Sequence, residues 1–449
     1  MSFFMIGLDA TIVNVAIPRI QHALHATVND MVWVNSAYAL CYAVPLIAAG
    51  RLGDRVGPKR VLLAGLGGFT LASLTCAVAP GPGVLIAARA VQGLSAALIA
   101  PQTMALIVHM FPADRRGRPL GVWGAVGGAS MAAGPLAGGL IVATLGWRGI
   151  FLVNVPVGAA GWLAAARLVP DRRPLTHHQL DLWDTVLSGA GLFAVVFAVQ
   201  SGGLYHWGTV AGPLTVGWII ALGLGCLGVF VLRQHRNPGE PLMPLRLFRN
   251  RDFSAASAAG GAMGCAMGGL FLPLMIYVQG TLRHPPLEAG TVTVPMFVLS
   301  AVAARGAGRW SDRADPRLPA AAGFALLVAG TGSLVMLLRP GTSLWALLPS
   351  LLIAGAGIGL VSAPLARIAT STLEPGLVGV ASGVFSTARQ IGGAFGGAAT
   401  GAVLQAAVGA NTTSATRAAL LFPVAMLLIG LACCALVTGQ DRTGGRATG

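Results

Sequence analysis

Three charged side chains lie inside long apolar stretches of this chain: Asp9, Arg89 and Arg389. A charge at the centre of a bilayer costs about 2.5–3.5 kcal/mol on insertion scales, so each of them is expected to face a partner, a cavity or water. Burial favours the neutral form of a carboxyl group, so Asp9 could take up and release protons. The alternative role of Asp9 is a structural hydrogen bond to Asn14 or to a neighbouring helix. For the two arginines, which stay charged, the alternative is a fixed structural ion pair.

The stretches that hold these residues have the composition of membrane-spanning helices. Of the 449 residues, 55% are hydrophobic and only 10% are charged, whereas a soluble domain carries roughly 25% charged residues. Apolar runs of about 18 residues or more can cross a bilayer, and in lipid they must be helical because the backbone has to satisfy its own hydrogen bonds. The pattern predicts fourteen spans, at about residues 2–19, 33–50, 61–79, 84–108, 119–143, 149–168, 183–201, 213–232, 254–279, 289–307, 319–338, 343–366, 378–405 and 418–438.

The basic residues are concentrated on one side of these spans. Of the Lys and Arg residues in or next to the connections, twenty belong to the even-numbered connections and five to the odd-numbered ones. Because cytoplasmic loops carry the excess of Lys and Arg, this bias predicts a multi-pass protein of the cell inner (plasma) membrane with both termini cytoplasmic. Topology therefore explains the formal net charge of +15, and no nucleic acid partner is expected. The first span lacks a basic leader and a cleavage site, so it is not expected to be a signal peptide.

Other classes of function lack their usual sequence signals. The only lysine, Lys59, is followed by Arg60, so the phosphate-binding motif G-x-x-x-x-G-K-[ST] expected of an ATP-driven pump does not occur. Neither H-E-x-x-H nor G-x-S-x-G occurs. The six cysteines form no C-x-x-C pair, and the paired histidines have no further ligands nearby. We therefore expect no catalytic residues, no metal and no cofactor.

A charged connection occurs once in each half of the chain. Gly50–Arg60 places four basic residues and one acid between spans 2 and 3, and a weaker copy at Gly308–Arg317 follows span 10. Spans 1–6 thus resemble spans 9–14, as in transporters built from repeated bundles, whereas spans 7 and 8 have no counterpart. The predicted units are a six-helix bundle at 1–168, a linker with two inserted helices at 169–252, a second six-helix bundle at 253–438 and a cytoplasmic tail at 439–449.

Over nearly its whole length the chain resembles the major facilitator superfamily, specifically its fourteen-helix drug:proton antiporter family. Leu8–Pro18 is similar to the first-helix signature, Gly50–Arg60 to the loop motif after helix 2, Leu85–Gly93 to the helix-4 motif, Gly121–Gly139 to the antiporter motif of helix 5, and Trp147–Pro156 to the start of helix 6. Two positions depart from these motifs. Pro58 stands where the loop motif usually has a basic residue, and Ser130 stands where the antiporter motif usually has a third glycine.

This resemblance implies a fold and a function. The fold is all-α and integral to the membrane, with two six-helix bundles and two inserted central helices. The implied function is proton-coupled secondary transport, in which a monomer uses the proton gradient to export small amphipathic or cationic drugs or antibiotics by alternating access. One alternative is a dedicated exporter of a single endogenous metabolite or antibiotic. Another, from a different class, is a non-transporting membrane receptor, although no loop is long enough to form a sensing domain.

The resemblance also assigns roles to individual residues. It implies that Asp9 and Arg89 act in proton coupling. The gating motif comprises Gly50, Asp54, Arg55, Gly57, Lys59 and Arg60, and the antiporter motif comprises Gly121, Gly134, Pro135, Gly138 and Gly139. Asn14, Gln92 and Arg389 are the candidates for lining a substrate cavity.

For two of these assignments, elementary physical chemistry suggests how the residues would act. Asp54 can pair with basic groups or with the positive N-terminus of a helix, and such a latch on the cytoplasmic side would favour the outward-facing state. The alternative for Asp54 is a simple topology determinant. Gly134-Pro135 is expected to break the helix ladder of span 5, while the glycines let that span approach a neighbour closely. This segment is then either a gating hinge or ordinary small-residue packing.

Overall fold

The computed structural model describes residues 1–438 except 27, 113–114, 172–181, 203–204, 206, 237–244, 285, 372–376 and 407–411. The predicted tail at 439–449 lies outside the described residues. The described chain is almost entirely helical. Its α-helices are α1 (Ser2–Ala23), α2 (Val28–Ala43), α3 (Leu46–Val56), α4 (Pro58–Ala77), α5 (Pro82–Met110), α6 (Gly117–Thr144), α7 (Gly149–Leu152), α8 (Asn154–Leu168), α9 (Leu182–Ser201), α10 (Val216–Arg236), α11 (Arg246–Arg249), α12 (Arg251–Ile276), α13 (Pro286–Thr291), α14 (Val294–Arg313), α15 (Arg317–Leu337), α16 (Leu348–Thr370), α17 (Val378–Ala406) and α18 (Thr412–Leu436). A π-helical turn (Tyr277–Thr281), a 3₁₀ turn (Leu344–Leu347) and two short strands, β1 (Thr209–Ala211) and β2 (Leu214–Thr215), complete the list.

Each predicted span coincides with one helix or with two consecutive helices. Nine helices of the described chain are long and apolar enough to cross a membrane, and two bent pairs raise that number to eleven. The bent pairs are Ser2–Val13 with Val15–Ala23, at 47°, and Trp33–Ala43 with Leu46–Val56, at 45°. The three remaining predicted spans correspond to α6, α9 and α17. The multi-pass helical architecture is therefore observed, and the total of fourteen crossings stays a prediction.

The helices of the two halves of the chain pack by equivalent pairs. In the first half (α1–α8), α1 packs on α6, α5 packs on α2 and α4, and α4 packs on α8. In the second half (α12–α18), α12 packs on α17, α16 packs on α14 and α15, and α15 packs on α18. The same pairing in both halves is the structural counterpart of the repeated charged connection. The largest apolar core lies mainly in the second half and encloses Phe253, Tyr277, Phe324 and Phe385.

Between the halves along the chain, α9 and α10 form a hairpin that has no counterpart in either of them. The two helices pack on each other, and the antiparallel strands β1 and β2 lie in their connection. Arg233 Nε donates to Asp184 Oδ1 at 2.7 Å and Gln234 Nε2 donates to Asp184 Oδ2 at 2.5 Å, which ties the two helices together. Because α9 also contacts α2 and α17, it touches both halves. The predicted boundaries near 168 and 252 lie close to the end of α8 and the start of α12, and the division into domains stays a prediction.

The charged connection at Gly50–Arg60, which was predicted to lie between two spans, is mostly helical. α3 continues to Val56 and α4 begins at Pro58. Only Gly57 lies between them, with a φ of 103°, a value that L side chains rarely adopt. The helix persists into the charged segment because small and apolar residues at helical spacing are buried on one face, namely Leu46, Ala49, Gly50 and Gly53.

Candidate functional site

A fully buried carboxylate, Asp9 on α1, is held by three side chains. Arg89 Nη1 donates to Asp9 Oδ2 at 2.5 Å, while Gln92 Nε2 and Asn154 Nδ2 donate to Oδ1 at 3.0 and 2.8 Å. The side chains of Asp9 and Arg89 are 0% and 1% exposed. Hydrogen bonds to an ionised group are stronger than those between neutral groups, so the network holds the acid in one position. The structure thus brings together the two residues predicted to act in proton coupling, and that role itself stays a prediction.

The same network extends to Ser73 and Tyr38. Gln92 Nε2 also donates to Ser73 Oγ at 2.7 Å, and Arg89 Nη1 donates to Gln92 Oε1 at 2.7 Å. Arg89 Nε donates to the carbonyl oxygen of Val34 at 3.3 Å, and its guanidinium carbon lies 4.1 Å from the centroid of the Tyr38 ring. That distance permits a cation–π interaction. Residues three positions apart are neighbours on a helix, so both polar side chains of α5 reach the same carboxylate.

Three members of this network were not candidates from the sequence: Ser73, Tyr38 and Asn154. Asn154 is the first residue of α8 and belongs to the segment Trp147–Pro156, which carries part of the family resemblance. That segment was the available signal for Asn154. Serine and tyrosine are common in apolar helices and have no distinguishing context at the other two positions, so only the packing of α2 and α4 against α5 reveals them.

A cavity of about 640 Å³ lies between the two halves of the molecule. This volume falls within the usual range for a small-molecule site. Arg89 is part of the cavity wall and Asp9 is not, so Arg89 connects the cavity to the buried acid. The wall is mostly apolar, and its six aromatic members are Phe3, Tyr38, Tyr42, Trp123, Phe297 and Phe385.

Of the three residues expected to line the cavity, Arg389 does so. Gln92 does not, because its side chain is 0% exposed and is bound to Asp9 and Ser73, so this placement was wrong. The packing of α4 against α5 gives the amide of Gln92 a partner on α4 and keeps it away from the cavity. The side chain of Asn14 lies outside the described residues.

Asp54, near the end of α3, contacts the start of α17 in the opposite half. Its Oδ1 and Oδ2 accept hydrogen bonds from the backbone N–H groups of Gly379 and Val380, at 2.9 and 3.0 Å. The first N–H groups of a helix have no partner within the helix and carry partial positive charge, so a carboxylate suits them. Of the two kinds of partner considered for Asp54, the structure shows the helix N-terminus. We call this contact the first latch.

Asp312, near the end of α14, makes the equivalent contact with the start of α6. Its Oδ1 and Oδ2 accept hydrogen bonds from the backbone N–H groups of Gly117 and Arg118, at 2.7 and 2.8 Å. Arg367 Nη1 also donates to Oδ1, at 3.0 Å. The sequence did not lead us to single out Asp312, although it occupies the place of Asp54 in the second copy of the charged connection. We call this contact the second latch.

Two of the three basic residues of the gating motif contact their own half. Lys59 Nζ donates to the carbonyl oxygen of Ala166 near the end of α8, at 2.8 Å. Arg60 lies 3.4 Å from Asp171 in a solvent-exposed ion pair, a type that contributes little to stability. Arg55 is exposed on the last turn of α3. The contacts of this motif with the other half are therefore made by its acid and its first glycine.

Glycines allow the two halves to approach each other at both latches. A Cβ atom on Gly50 would overlap the carbonyl oxygen of Gly379, and one on Gly308 would overlap the carbonyl oxygen of Gly117. At Gly121, a Cβ atom would lie 2.7 Å from a carbonyl oxygen of α14. Gly50 was a predicted gating residue and Gly121 a predicted antiporter residue. The structure places both of them at the contact between the halves.

The rest of the antiporter motif lies within the first half. Gly134 and Gly138 face α1, whereas a Cβ atom on Gly139 would meet nothing within 4 Å. α6 runs without interruption through Gly134-Pro135, so the hydrogen bond that the proline cannot donate does not end the helix. Proline lacks one N–H donor, and the surrounding turns of α6 keep the helix continuous across that gap. The side chain of Pro135 lies outside the described residues.

We expect Gly121→Ala to lower the thermal unfolding midpoint by several degrees and Gly139→Ala to leave it unchanged or raise it. The methyl group at position 121 must displace the backbone of α14, and overpacking of this kind costs about 1–3 kcal/mol. At position 139 the methyl group enters open space, and alanine favours a helix over glycine. Thermal unfolding of both variants in the same nanodiscs checks this. Equal midpoints for the two variants would contradict the assigned contact between α6 and α14.

Comparison with known proteins gives consistent matches. A family model described as Major Facilitator Superfamily matches residues 1–397. The "Uncharacterized MFS-type transporter Rv1250" of Mycobacterium tuberculosis is 41% identical over 409 residues, which are 91% of this chain and 70% of that protein. The "Methylenomycin A resistance protein" of Streptomyces coelicolor is 37% identical over 414 residues, which are 90% of this chain and 83% of that protein.

A solved structure shares the same fold. The human organic anion transporter MFSD10 (TETRAN) superposes with a TM-score of 0.66 over 95% of this chain and 97% of its own chain. Its sequence identity to this chain is 15%. At that identity the likeness is one of fold alone.

Proposed function

Because this chain belongs to the Major Facilitator Superfamily, we propose that it exports small amphipathic drugs or antibiotics in exchange for protons, by alternating access. The observation that carries this proposal is the cavity between the two halves, which Arg89 connects to the buried carboxylate of Asp9. The relative named for resistance to methylenomycin A supports export of an antibiotic. As a family member with many apolar helices, the chain is a multi-pass membrane transporter of small molecules.

Alternating access requires the two halves to close on one side of the membrane while they separate on the other. Both latches join the halves at the arginine-rich ends of the helices, which the charge bias assigns to the cytoplasm. Their geometry supports a state that is closed towards the cytoplasm. Opening that side breaks two hydrogen bonds at each latch. Substrate or proton binding must therefore favour the open state by a comparable free energy, since a ligand shifts an equilibrium only by its differential affinity.

The pair of Asp9 and Arg89 supplies a candidate coupling mechanism. A proton on Asp9 would neutralise the carboxylate and weaken its bond to Arg89. A proton and the guanidinium group thus compete for the same oxygen atoms, and the guanidinium belongs to a side chain of the cavity wall. Proton entry would in this way change the cavity that holds the substrate. The membrane potential contributes about 2.3 kcal/mol per charge per 100 mV, and the pH difference adds to it.

The remaining parts of the proposal follow from the charge bias and from the energy source. The protein resides in the cell inner (plasma) membrane with both termini cytoplasmic, and it works as a monomer. It is a transporter rather than an enzyme and uses the proton gradient without a bound cofactor or nucleic acid. Within the described residues, no three His, Cys, Asp or Glu side chains form a group that could hold a metal ion.

Dedicated export of one antibiotic is a second candidate function. The name of the relative that confers methylenomycin A resistance refers to a single compound, which favours a narrow specificity. A panel of chemically different antibiotics distinguishes the two candidates. A response to several of them supports broad efflux, and a response to one supports the dedicated exporter.

The direct test uses inverted membrane vesicles that carry an imposed proton gradient, acidic inside. We expect antibiotics from the panel to release lumenal protons in vesicles that contain the protein, because each exported molecule is exchanged for protons. A pH-sensitive dye in the lumen reports the release, and vesicles from cells that lack the protein are the control. Uptake of the antibiotic that requires ATP and persists after a protonophore has collapsed the gradient would overturn the proposal.

A further inference from the structure

Arg389 on α17 is held in place at the cavity wall by the neighbouring helix α12. A Cβ atom on Gly260 would lie 3.4 Å from Arg389 Cγ, and one on Gly264 would overlap the carbonyl oxygen of Arg389. These two glycines let α12 pack directly against the stem and backbone of the arginine. The side chain is only partly buried and belongs to the cavity wall. Its guanidinium group is therefore positioned from behind and accessible from the cavity.

The positive charge of Arg389 has no acidic neighbour in this wall. None of the described residues that line the cavity is Asp or Glu. Asp9 lies outside the wall, where Arg89, Gln92 and Asn154 occupy its oxygen atoms. Among the described residues, Arg389 forms neither an ion pair nor a hydrogen bond with another side chain.

The two arginines of the wall thus differ in their charge balance. The charge of Arg89 is offset by Asp9, whereas the charge of Arg389 is offset by none of the described wall residues. An arginine cannot lose its proton in this setting and needs a partner or water. The cavity is therefore a region of positive potential, which attracts anions and repels cations. A carboxylate or sulfonate can bind a guanidinium group through two parallel hydrogen bonds.

The other wall residues fit the apolar part of such a ligand. Aromatic rings from both halves line the cavity. Phe385 lies on α17, the helix that carries Arg389, and Tyr42 lies on α2. Gln390, next to Arg389, adds amide donors and acceptors to the wall. A cavity of about 640 Å³ accommodates a molecule with one or a few fused rings. The wall thus combines an aromatic surface with a single uncompensated cation.

We propose that the cavity selects anionic aromatic amphiphiles, with Arg389 as the residue that binds their acidic group. This inference rests on the proposed function, because it names the substrate class of the same cavity. The family resemblance implies amphipathic or cationic substrates, and this inference favours acids over amines of the same size. Arg89 is not required to bind the anion, since its guanidinium group is already bound to Asp9.

Three probes of similar size and different charge test the inference: 2-naphthoate, 2-naphthamide and 2-naphthylmethylammonium. Their affinities for the full chain in nanodiscs are measured by isothermal titration calorimetry at pH 7, with empty nanodiscs as the blank. We expect 2-naphthoate to bind at least about tenfold more tightly than the amide, and the ammonium compound to bind most weakly. Arg389→Gln is expected to remove the advantage of the anion, and Arg389→Lys to keep part of it, because lysine retains the charge without the planar fork.

Arg305→Gln is the matched control variant, because Arg305 is exposed on α14 and is not part of the wall. Thermal unfolding of each variant establishes that it is folded. Equal or tighter binding of the ammonium compound, an unchanged preference in Arg389→Gln, or failure of all three probes to bind would overturn the inference. Since these are binding measurements, a wrong order of affinities leaves proton-coupled export standing. Loss of proton release in the vesicle assay with the expected order of affinities would overturn only the proposed function.

Discussion

Asp9→Asn is expected to abolish substrate-driven proton release from inverted vesicles. The amide keeps the size of the carboxyl group but cannot bind and release a proton at neutral pH, and it cannot neutralise Arg89. Removing one member of a buried ion pair costs about 3–5 kcal/mol, so the variant is also expected to be less stable. Proton release is therefore measured per folded molecule, with the amount of folded protein determined by size-exclusion chromatography after solubilisation.

Asp184→Asn separates the loss of coupling from the loss of stability. Asp184 is also fully buried and bound to an arginine, Arg233, but it lies in the inserted hairpin, away from the cavity wall. We expect this variant to unfold at a lower temperature than the wild type while it retains proton release per folded molecule. Wild-type proton release from Asp9→Asn would show that another group carries the protons.

Replacing both latch acids, as Asp54→Asn together with Asp312→Asn, is expected to open the arginine-rich end of the molecule. Each carboxylate accepts two backbone hydrogen bonds at a helix start, and bonds to a charged group contribute about 1.5–3 kcal/mol each. Asparagine has nearly the same shape, but one of its two terminal atoms is a donor. Each latch thus loses at least one hydrogen bond and its charge, and the ratio of closed to open molecules is expected to fall about tenfold or more.

Spin labels at Val56 and Leu318 can report this opening. Both side chains are exposed, on α3 and α15 in opposite halves, at the ends that carry the latches. Double electron–electron resonance should show a longer distance between the labels in the double variant than in the otherwise wild-type protein. Asp315→Asn is the matched control, because Asp315 pairs with Arg317 within its own connection, at 2.7 Å. An unchanged distance distribution in the double variant would rule out the latches as the contacts that keep this end closed.

Local sequence properties were sufficient to predict where the helices lie and to identify the charged residues inside them. Hydropathy and length place the helices because an apolar stretch must be helical in lipid wherever it packs. They also identify Asp9 and Arg89, since a charge in such a stretch stands out from its neighbours. The repeated charged connection indicated the matching halves. Because Asp312 occupies the place of Asp54 in the second copy, the repeat could also have predicted the second latch.

Contacts between distant helices required the tertiary structure. The bond between Asp9 and Arg89 joins α1 to α5, and Asn154 reaches the same carboxylate from α8. Hydropathy does not specify which face of an apolar helix turns towards which neighbour, because in lipid all faces can be equally apolar. For that reason Gln92 was misplaced in the cavity. The same packing leaves Arg389 with a free side towards the cavity, while Arg89 is bound to an acid, although both appear in the sequence as a single arginine in an apolar helix.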